Sequence, residues 1–506
     1  MADKAITIND MATFCKKKGF VFPNSEMYGG FSGFFDYGPL GVEVKNNIKQ
    51  SWWKRFVKSR EDVFGIDGSI ISHPKVWKAS GHVDCFSDKM IYCNKHKKSF
   101  RADQLIEDVV GKPADGLSKK QLLAEISIHS EKFKKAGYDL AQDISDFNLM
   151  FRTFVGSSQS EDAVAYLRPE TAQLIFADFK AVCDTSRAKL PFGIAQIGKA
   201  FRNEISPRDF LFRTREFEQM EIEYFIHPEM KECSLLTNRD FSFNILTAKH
   251  QKQGKEHGQM SAAQMLSFGL ADEWHVYWLL EQYKWFLDMG IAPLSLRLRE
   301  HLKDELAHYS SACFDIEYKF PFGWKEIHGS ANRGQFDLTQ HKRYSKENLE
   351  LFDEESKQKV IPRVIEPSQG VDRAFLAFLF DAYHDDSERG NVVLRLHPAL
   401  APIKVGVFPL VNKLREKSRE IFDPLKEEFE CFFDASGSIG RRYARADEQG
   451  IAYCVTVDFE TLDDASVTVR DRDTTAQVRV KIGDIADTLS KLLSGKVAFS
   501  DAGKAV

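Results

Sequence analysis

A chain of 506 residues exceeds what one hydrophobic core organises, so two or three domains are expected. Its 43% hydrophobic and 28% charged residues are those of an ordinary soluble globular protein, and a formal net charge of −4 excludes bulk attraction to nucleic acid, so any such partner must be met by local patches. The longest apolar run, AFLAFLF, is far short of a membrane span, and no membrane partner is expected. Eight cysteines without a pairing pattern, and a start MADKAITIND without the apolar core of a signal peptide, lead to a reducing, cytoplasmic expectation. The 41 phenylalanines speak of core packing.

In chain order, GFFDYGPLGVEVKNNIKQSWWKRFV opens a helix at Pro39, with Val44, Ile48, Trp52 and Phe56 at steps of four. Adjacent Trp52 and Trp53 put bulk on two faces, which suits a core helix that also meets a partner subunit. From about 88 to 165 the chain turns polar and lysine-rich, with helices such as SKKQLLAEISIHSEKFKKAG, and reads as an insertion. Cys93 and His96 in it form half a zinc site with no matching pair at knuckle spacing, so no bound zinc is expected. LRPETAQLIF sets Arg168 and Glu170 just before an apolar helix.

GIAQIGKAFRNEISPR alternates strictly. Gln196, Gly198, Ala200, Arg202 and Glu204 share one face, and Ile197 and Phe201 the other. TREFEQMEIEYF resumes the alternation, with Phe217, Gln219, Glu221 and Glu223 opposed to Met220, Ile222 and Tyr224. These predict a long hairpin whose loop carries more arginine than a simple reversal needs. A second helical, aromatic stretch follows from about 229 to 308, also read as an insertion. FGWKEIHGSANRGQFDL is unremarkable by itself. IPRVIEPSQGVDRAFLAFLF is not, because a strand passes through a glycine turn into an apolar helix whose first turn holds Arg373, at the positive end of the helix dipole. Something anionic or aromatic is expected to meet that arginine. Beyond HPALAP the tail reads as a mixed α/β unit, with strands LAPIKVGVFPL and IAYCVTVD, a hairpin SVTVRDRDTTAQVRVKI and three helices.

Several long motifs in order, GGFSGFFDYGPLGVEVKNNI, AYLRPETAQ, FRNEISPRDFLFRTREFEQMEIEYF, VIEPSQGVDRAF, and GSIGRRYARADEQG with SVTVRDRDT, make nearly the whole chain resemble the dimeric glycyl-tRNA synthetases of class II. The resemblance implies an α+β fold. A catalytic domain over 1–397, an antiparallel sheet with helical insertions at about 88–165 and 229–308, would precede a mixed α/β anticodon-binding domain over 398–506. It implies a homodimer whose substrates are glycine, ATP and tRNA(Gly), with Mg2+ accompanying ATP.

Residue by residue, the resemblance puts Arg202 on the α-phosphate and Glu204 at the adenine amino group. Arg213 reaches the outer phosphates, Phe217 and Arg373 enclose adenine, and Glu326 is an ATP or magnesium contact. Arg202 and Arg373 would be the catalytic pair, and Asn203, Phe212, Arg215, Ile327, Gly370 and Asp372 would complete the ATP set. Glu170, Glu221 and Ser368 would surround the glycine ammonium and the space a Cβ would need, with Arg101, Phe217, Gln219, Glu366 and Gly370 about them. A guanidinium suits a phosphate because it binds bidentately and never deprotonates, and a filled pocket suits glycine because every competitor is larger. Arg441, Arg442 and Arg445, by themselves a solvated helix face, would with Asp447, Glu448 and Arg472 meet the anticodon. Two rivals stand beside this reading. A class II synthetase for serine or alanine would have a larger pocket, and a non-catalytic nucleic-acid-binding relative would have lost Arg202, Arg213 and Arg373. The third motif, GVDR, holds less glycine than the general class II form, as suits the glycyl branch.

Overall fold

The computed structural model describes residues 6–506 except Pro113, Asp115 and 307–309. The start of the leader reading and the last two residues of the second predicted insertion therefore lie outside the described residues.

Period-two alternation builds the predicted hairpin. Strands Phe192–Phe201 and Glu216–Ile226 pair antiparallel over their whole length, with Gln196 opposite Glu221, Gly198 opposite Gln219 and Ala200 opposite Phe217. Ile222 and Tyr224 turn into the core and are fully buried. The hairpin belongs to a nine-stranded sheet in the order Gly258–Ser261, Ser242–Leu246, Leu296–Glu300, Ala312–Phe320, Gly323–Gly334, Arg363–Gly370, Glu216–Ile226, Phe192–Phe201, Val63–Ile66. All neighbours are antiparallel save two pairs, Ser242–Leu246 with Leu296–Glu300 and Val63–Ile66 with Phe192–Phe201. Helices Pro39–Trp53, Glu273–Asp288 and Val371–Ala382 cover one face and give the largest core, rich in Trp52, Trp274, Trp278, Phe314, Phe375 and Phe378. On the other face lies helix Ala172–Ser186, with a smaller core of Phe176, Phe179, Phe192 and Phe225.

Three expectations change. The stretch 229–308 is no appendage: it supplies three strands of the main sheet and the helix Glu273–Asp288, whose Trp274, Trp278, Trp285 and Phe286 are almost wholly buried. The stretch 88–165 is not simply helical. Ser87–Cys93, Lys98–Arg101 and Leu140–Asn148 form a three-stranded sheet, on which helices Ala102–Val110 and Lys119–Ile128 pack around Ile91, Leu105, Ile106, Leu122 and Ile144. Finally, Trp53 is half-buried and turns its ring against the sheet. Its ring lies on Gly65 so closely that a Cβ there would stand 2.4 Å from Trp53 Cζ2, and the absent side chain is what admits the indole.

From Val405 a second, six-stranded sheet runs in the order Cys431–Phe433, Val405–Pro409, Tyr453–Val457, Ser466–Asp471, Gln477–Lys481, Lys504–Ala505. Its first three strands are parallel and the remainder antiparallel. It keeps its own core of Val405, Val407, Ile421, Leu425, Val455, Val469 and Leu489.

Candidate active site

Sheet register explains the site. One rung crosses five strands through Gln196, Glu221, Ser368, Gly329 and Asp315, and the next carries Gly198, Gln219 and Gly370. Because side chains directly opposite on neighbouring strands share a face, polar groups from distant parts of the chain line a single cleft. Arg168 roofs one end. It is 2% exposed and donates to Lys199 O and Gly68 O, both at 2.6 Å, and to Gln196 Oε1 at 3.2 Å. A Cβ at Gly198 would lie 2.1 Å from Arg168 Nη2, so the arginine requires that glycine. Gln196 in turn donates to Thr171 O at 3.0 Å, which hangs Glu170 over the rung.

The cleft is lined by Glu170, Arg202, Glu204, Phe212, Arg213, Phe217, Gln219, Glu221, Glu326, Glu366, Ser368, Gly370, Asp372 and Arg373, fourteen of the predicted residues. Four others lie outside this lining. Arg101 is committed to Asp103 at 2.5 Å and Asp88 at 3.3 Å. Arg215 donates to Glu204 O at 2.8 Å and Ser32 O at 2.7 Å, bracing the loop. Asn203 pairs through its backbone with Leu149 O at 2.7 Å, and Ile327 is a core side chain at 1% exposure. Asp372 borders the cleft, but its carboxylate accepts from Tyr37, from Lys45 at 3.1 Å and from Glu218 N–H at 2.7 Å, so it braces the helix start.

At one end of the cleft are the arginines. Arg202 follows the last residue of its strand. It donates to Pro169 O at 3.1 Å, and its guanidinium stands 5.2 Å from the Phe217 ring. It has no carboxylate partner among the described residues, so its charge faces the cleft. Arg213 contacts Glu204 Oε2 at 2.8 Å through both Nε and Nη2. Arg373 has the anionic and aromatic company its helix position called for: it pairs with Glu326 at 2.9 Å and lies 4.6 Å from the Phe212 ring. Against the cost of burial, Arg373 holds the Glu326 carboxyl below its ordinary range.

At the other end are glutamates. Glu170 is met by His82 Nε2 at 3.3 Å and Gln173 Nε2 at 3.0 Å. Burial alone would raise its pKa, but His82, Arg333 and Gln173 hold it below the usual carboxylate range. Glu221, 1% exposed, accepts from Thr171 Oγ1, and burial together with the charge of Glu170 raises it. Glu366 is pushed up to about 8 by burial, with Arg333 opposing and Glu221 and Glu170 reinforcing.

Reading by sequence missed the group that ties these acids together. Arg333, 2% exposed, forks onto Asp337 at 2.7 and 2.8 Å and onto Glu366 at 2.8 Å. Asp337 accepts from Gln173 at 3.1 Å, which returns to Glu170. An arginine and an aspartate four apart across a strand-to-helix junction carry no periodic signal that marks them as buried.

For a cation, Glu326 Oε1 and Asp315 Oδ1 lie 3.7 and 3.9 Å from the point where a Cβ of Gly329 would stand, an all-oxygen pair suited to a hard divalent ion. Cys93 Sγ and His96 Nδ1 meet at 3.2 Å but gather no third ligand among the described residues.

In the tail, Arg442 is 2% exposed and caps backbone carbonyls of Pro409, Ala435, Ser436 and Gly437. Asp447 pairs with Arg470 at 2.8 Å and Arg389 at 3.2 Å, and Arg472 donates to Gly450 O at 3.0 Å and Leu396 O at 2.8 Å. Arg442 braces the tail unit, Asp447 and Arg472 also tie it to Arg389 and Leu396 before it, and side chains so buried and committed do not fit the expected reading of bases. Arg441 is exposed, while Arg445 and Glu448 are half-buried and paired with Asp434 and Lys18, each at 2.5 Å.

Comparison with known proteins places this geometry. A family described as the tRNA synthetase class II core domain (G, H, P, S and T) matches residues 154–239, and one described as the anticodon binding domain matches residues 404–492. The chain is 46% identical to the glycine–tRNA ligase of Caldanaerobacter subterraneus subsp. tengcongensis over 98% of its own length and 99% of the relative's. It is 45% identical to that of Clostridium beijerinckii over 96% and 98%, and 44% identical to that of Bacillus cereus over 96% and 99%.

Proposed function

The chain belongs to the class II glycyl-tRNA synthetases, and from that premise we propose how its residues divide the work of a glycine–tRNA ligase. The enzyme joins glycine to ATP as glycyl-adenylate and passes glycine to the 3′-terminal ribose of tRNA(Gly). In the first step the glycine carboxylate attacks the α-phosphorus, a new O–P bond forms, and the bond to the β-phosphate breaks to release pyrophosphate. Both reactants are anionic, so placement and charge neutralisation do the catalysis, and no side chain acts as nucleophile.

Arg202 takes the α-phosphate, supported by its place at the cleft without a carboxylate partner. Arg213 takes the outer phosphates. Both its contacts to Glu204 fall on Oε2, leaving Oε1 to receive the adenine amino group. Phe217 and Arg373 enclose the ring by stacking and cation–π contact. Class II synthetases use ATP with a divalent metal. We take that ion to be Mg2+, which Glu326 and Asp315 would hold and whose charge would neutralise triphosphate oxygens.

Glycine is selected by exclusion. Glu170, Glu221 and the Ser368 hydroxyl receive the ammonium, Glu366 closes the wall, and Gln219 and Gly370 lie on the adjacent rung. The single observation that carries this reading is the Gln196–Glu221–Ser368–Gly329 rung, which sets acceptors for an ammonium in one cleft with Arg202, an arginine that has no carboxylate partner among the described residues. Replacing Glu221 or Ser368 by alanine is expected to raise the glycine KM about 10- to 100-fold, and the ATP KM by less than about threefold. Equal losses for both substrates in steady-state exchange kinetics contradict the pocket assignment.

The division into 1–397 and 398–506, the homodimer, the cytoplasmic setting and a tRNA surface around Arg441, Arg445 and Glu448 are part of the same proposal. For the dimer, Met27, Tyr28 and Phe31 are 84%, 84% and 76% exposed in one short segment, an apolar surface suited to a second copy.

A further inference from the structure

Behind the ammonium pocket lies a carboxylate that the reaction as described does not use. Glu223 sits two residues beyond Glu221 on the same face of the strand, is fully buried, and has no hydrogen-bond partner among the described residues for either carboxylate oxygen. One oxygen from each of Glu221, Glu223 and Glu366 lies within 4.8 Å of the others. Three negative charges at that separation, out of water, cannot coexist.

The groups facing Glu223 do not cancel them. The neighbouring strand contributes Glu366, and its own strand Glu221. Strand Gly323–Gly334 contributes Arg333, and the helix after it Asp337. Strand Phe192–Phe201 puts an apolar residue, Ile194, opposite Glu223. Arg333 is the one cation in this set, and it gives two of its bonds to Asp337 and one to Glu366. The set thus holds four carboxyl groups against one guanidinium, before Glu170 on the far side of the pocket is counted.

We propose that the free pocket stores a proton on Glu223, beside Glu221 and Glu366, and that the glycine ammonium displaces it to solvent on binding. Glycine enters with its ammonium already charged. Its N–H groups donate to the pocket carboxylates and supply the cation the cluster lacked. One carboxyl O–H then gives up its proton, which leaves by way of Glu221 and Glu366, both on the cleft wall. Glu223 touches no substrate and acts through its two neighbours as a positioning residue. An uncharged competitor gains nothing from this exchange, so the stored proton sharpens selection for an ammonium, while size is left to the filled pocket. The inference rests on the reading of this pocket as the ammonium site.

Burial and the charge of Glu366 push Glu223 well above the ordinary carboxylate range, and Glu366 itself stands at about 8. The carboxyl raised in the free pocket ionises in the complex, so glycine affinity is full above the free-pocket value and is lost as pH falls below it. The glycine Kd rises by up to about tenfold per pH unit on the acid side.

The test is titration calorimetry of the full chain with glycine near neutral pH, in buffers of different ionisation enthalpy. Release of about one proton per glycine, falling to near zero in Glu223→Gln, is the expected result. Glycine binding without proton release overturns the proposal and leaves the pocket standing. Unchanged release in Glu223→Gln overturns the role of Glu223. No glycine binding by the parent overturns the pocket reading itself. If Glu223→Gln does not fold, the parent's glycine KM against pH decides: a flat profile from about pH 6 to 8 overturns the proposal.

Discussion

Arg202→Ala is expected to lower glycine-dependent adenylate formation by about 10²- to 10³-fold while leaving the melting temperature within a few degrees of the parent. The reason is local. Among the described residues the Arg202 side chain has no carboxylate partner and makes one hydrogen bond, to Pro169 O at 3.1 Å, so its removal strands no buried charge. In the proposed division of labour it supplies positive charge where the α-phosphorus gains a fifth oxygen. Arg202→Lys keeps the charge but loses the bidentate fork, and is expected to fall between the two. Pyrophosphate exchange into ATP reads the effect, and near-parental exchange in Arg202→Ala removes the arginine from the phosphate.

Arg333→Leu carries the largest expected structural loss. The guanidinium is 2% exposed and bonded to Asp337 and Glu366, so its removal leaves two buried acids without their cation. Removing one partner of a buried ion pair costs about 3 to 5 kcal/mol, which for a domain of this size is roughly 5 °C in Tm. Because Arg333 opposes the upward shift of Glu366, the variant also takes up protons around the glycine pocket, and its glycine KM is expected to rise more than its ATP KM. Thermal unfolding and the two KM values check this together. A parental Tm with a parental glycine KM contradicts the account of the buried network.

What the sequence made legible follows from local periodicity. The hairpin faces were readable because Gln196, Gly198, Glu221 and Glu223 alternate with apolar residues at period two, and the register matches that alternation pair for pair. The awkward Arg373 announced its partners through the helix dipole alone, and Glu326 and Phe212 are there. Non-local pairing was not readable in the same way. The residues of VIEPSQG reach the hairpin across about 150 positions of chain, and only register brings Ser368 opposite both Glu221 and Gly329. Arg333 and Asp337 hid for that reason too, each looking like a solvated polar residue. The tail arginines failed in the opposite sense. Arg442 looks like part of a basic helix face in the sequence and Arg472 a base reader by resemblance, yet a guanidinium's five donors serve equally well to gather backbone carbonyls inside a fold. The insertion at 88–165 misled because strands Lys98–Arg101 and Leu140–Asn148 are short or polar, while helix Lys119–Ile128 announces itself through the Ser118–Gln121 capping box.

The central claim is that one rung of the sheet joins an ATP floor to a pocket that admits glycine alone. Its most direct test is pyrophosphate exchange into ATP by the purified chain with magnesium, without tRNA, offered each common amino acid in turn. Exchange with glycine, and none with alanine or serine above background, is the predicted result. Exchange driven as well by alanine or serine as by glycine would contradict it.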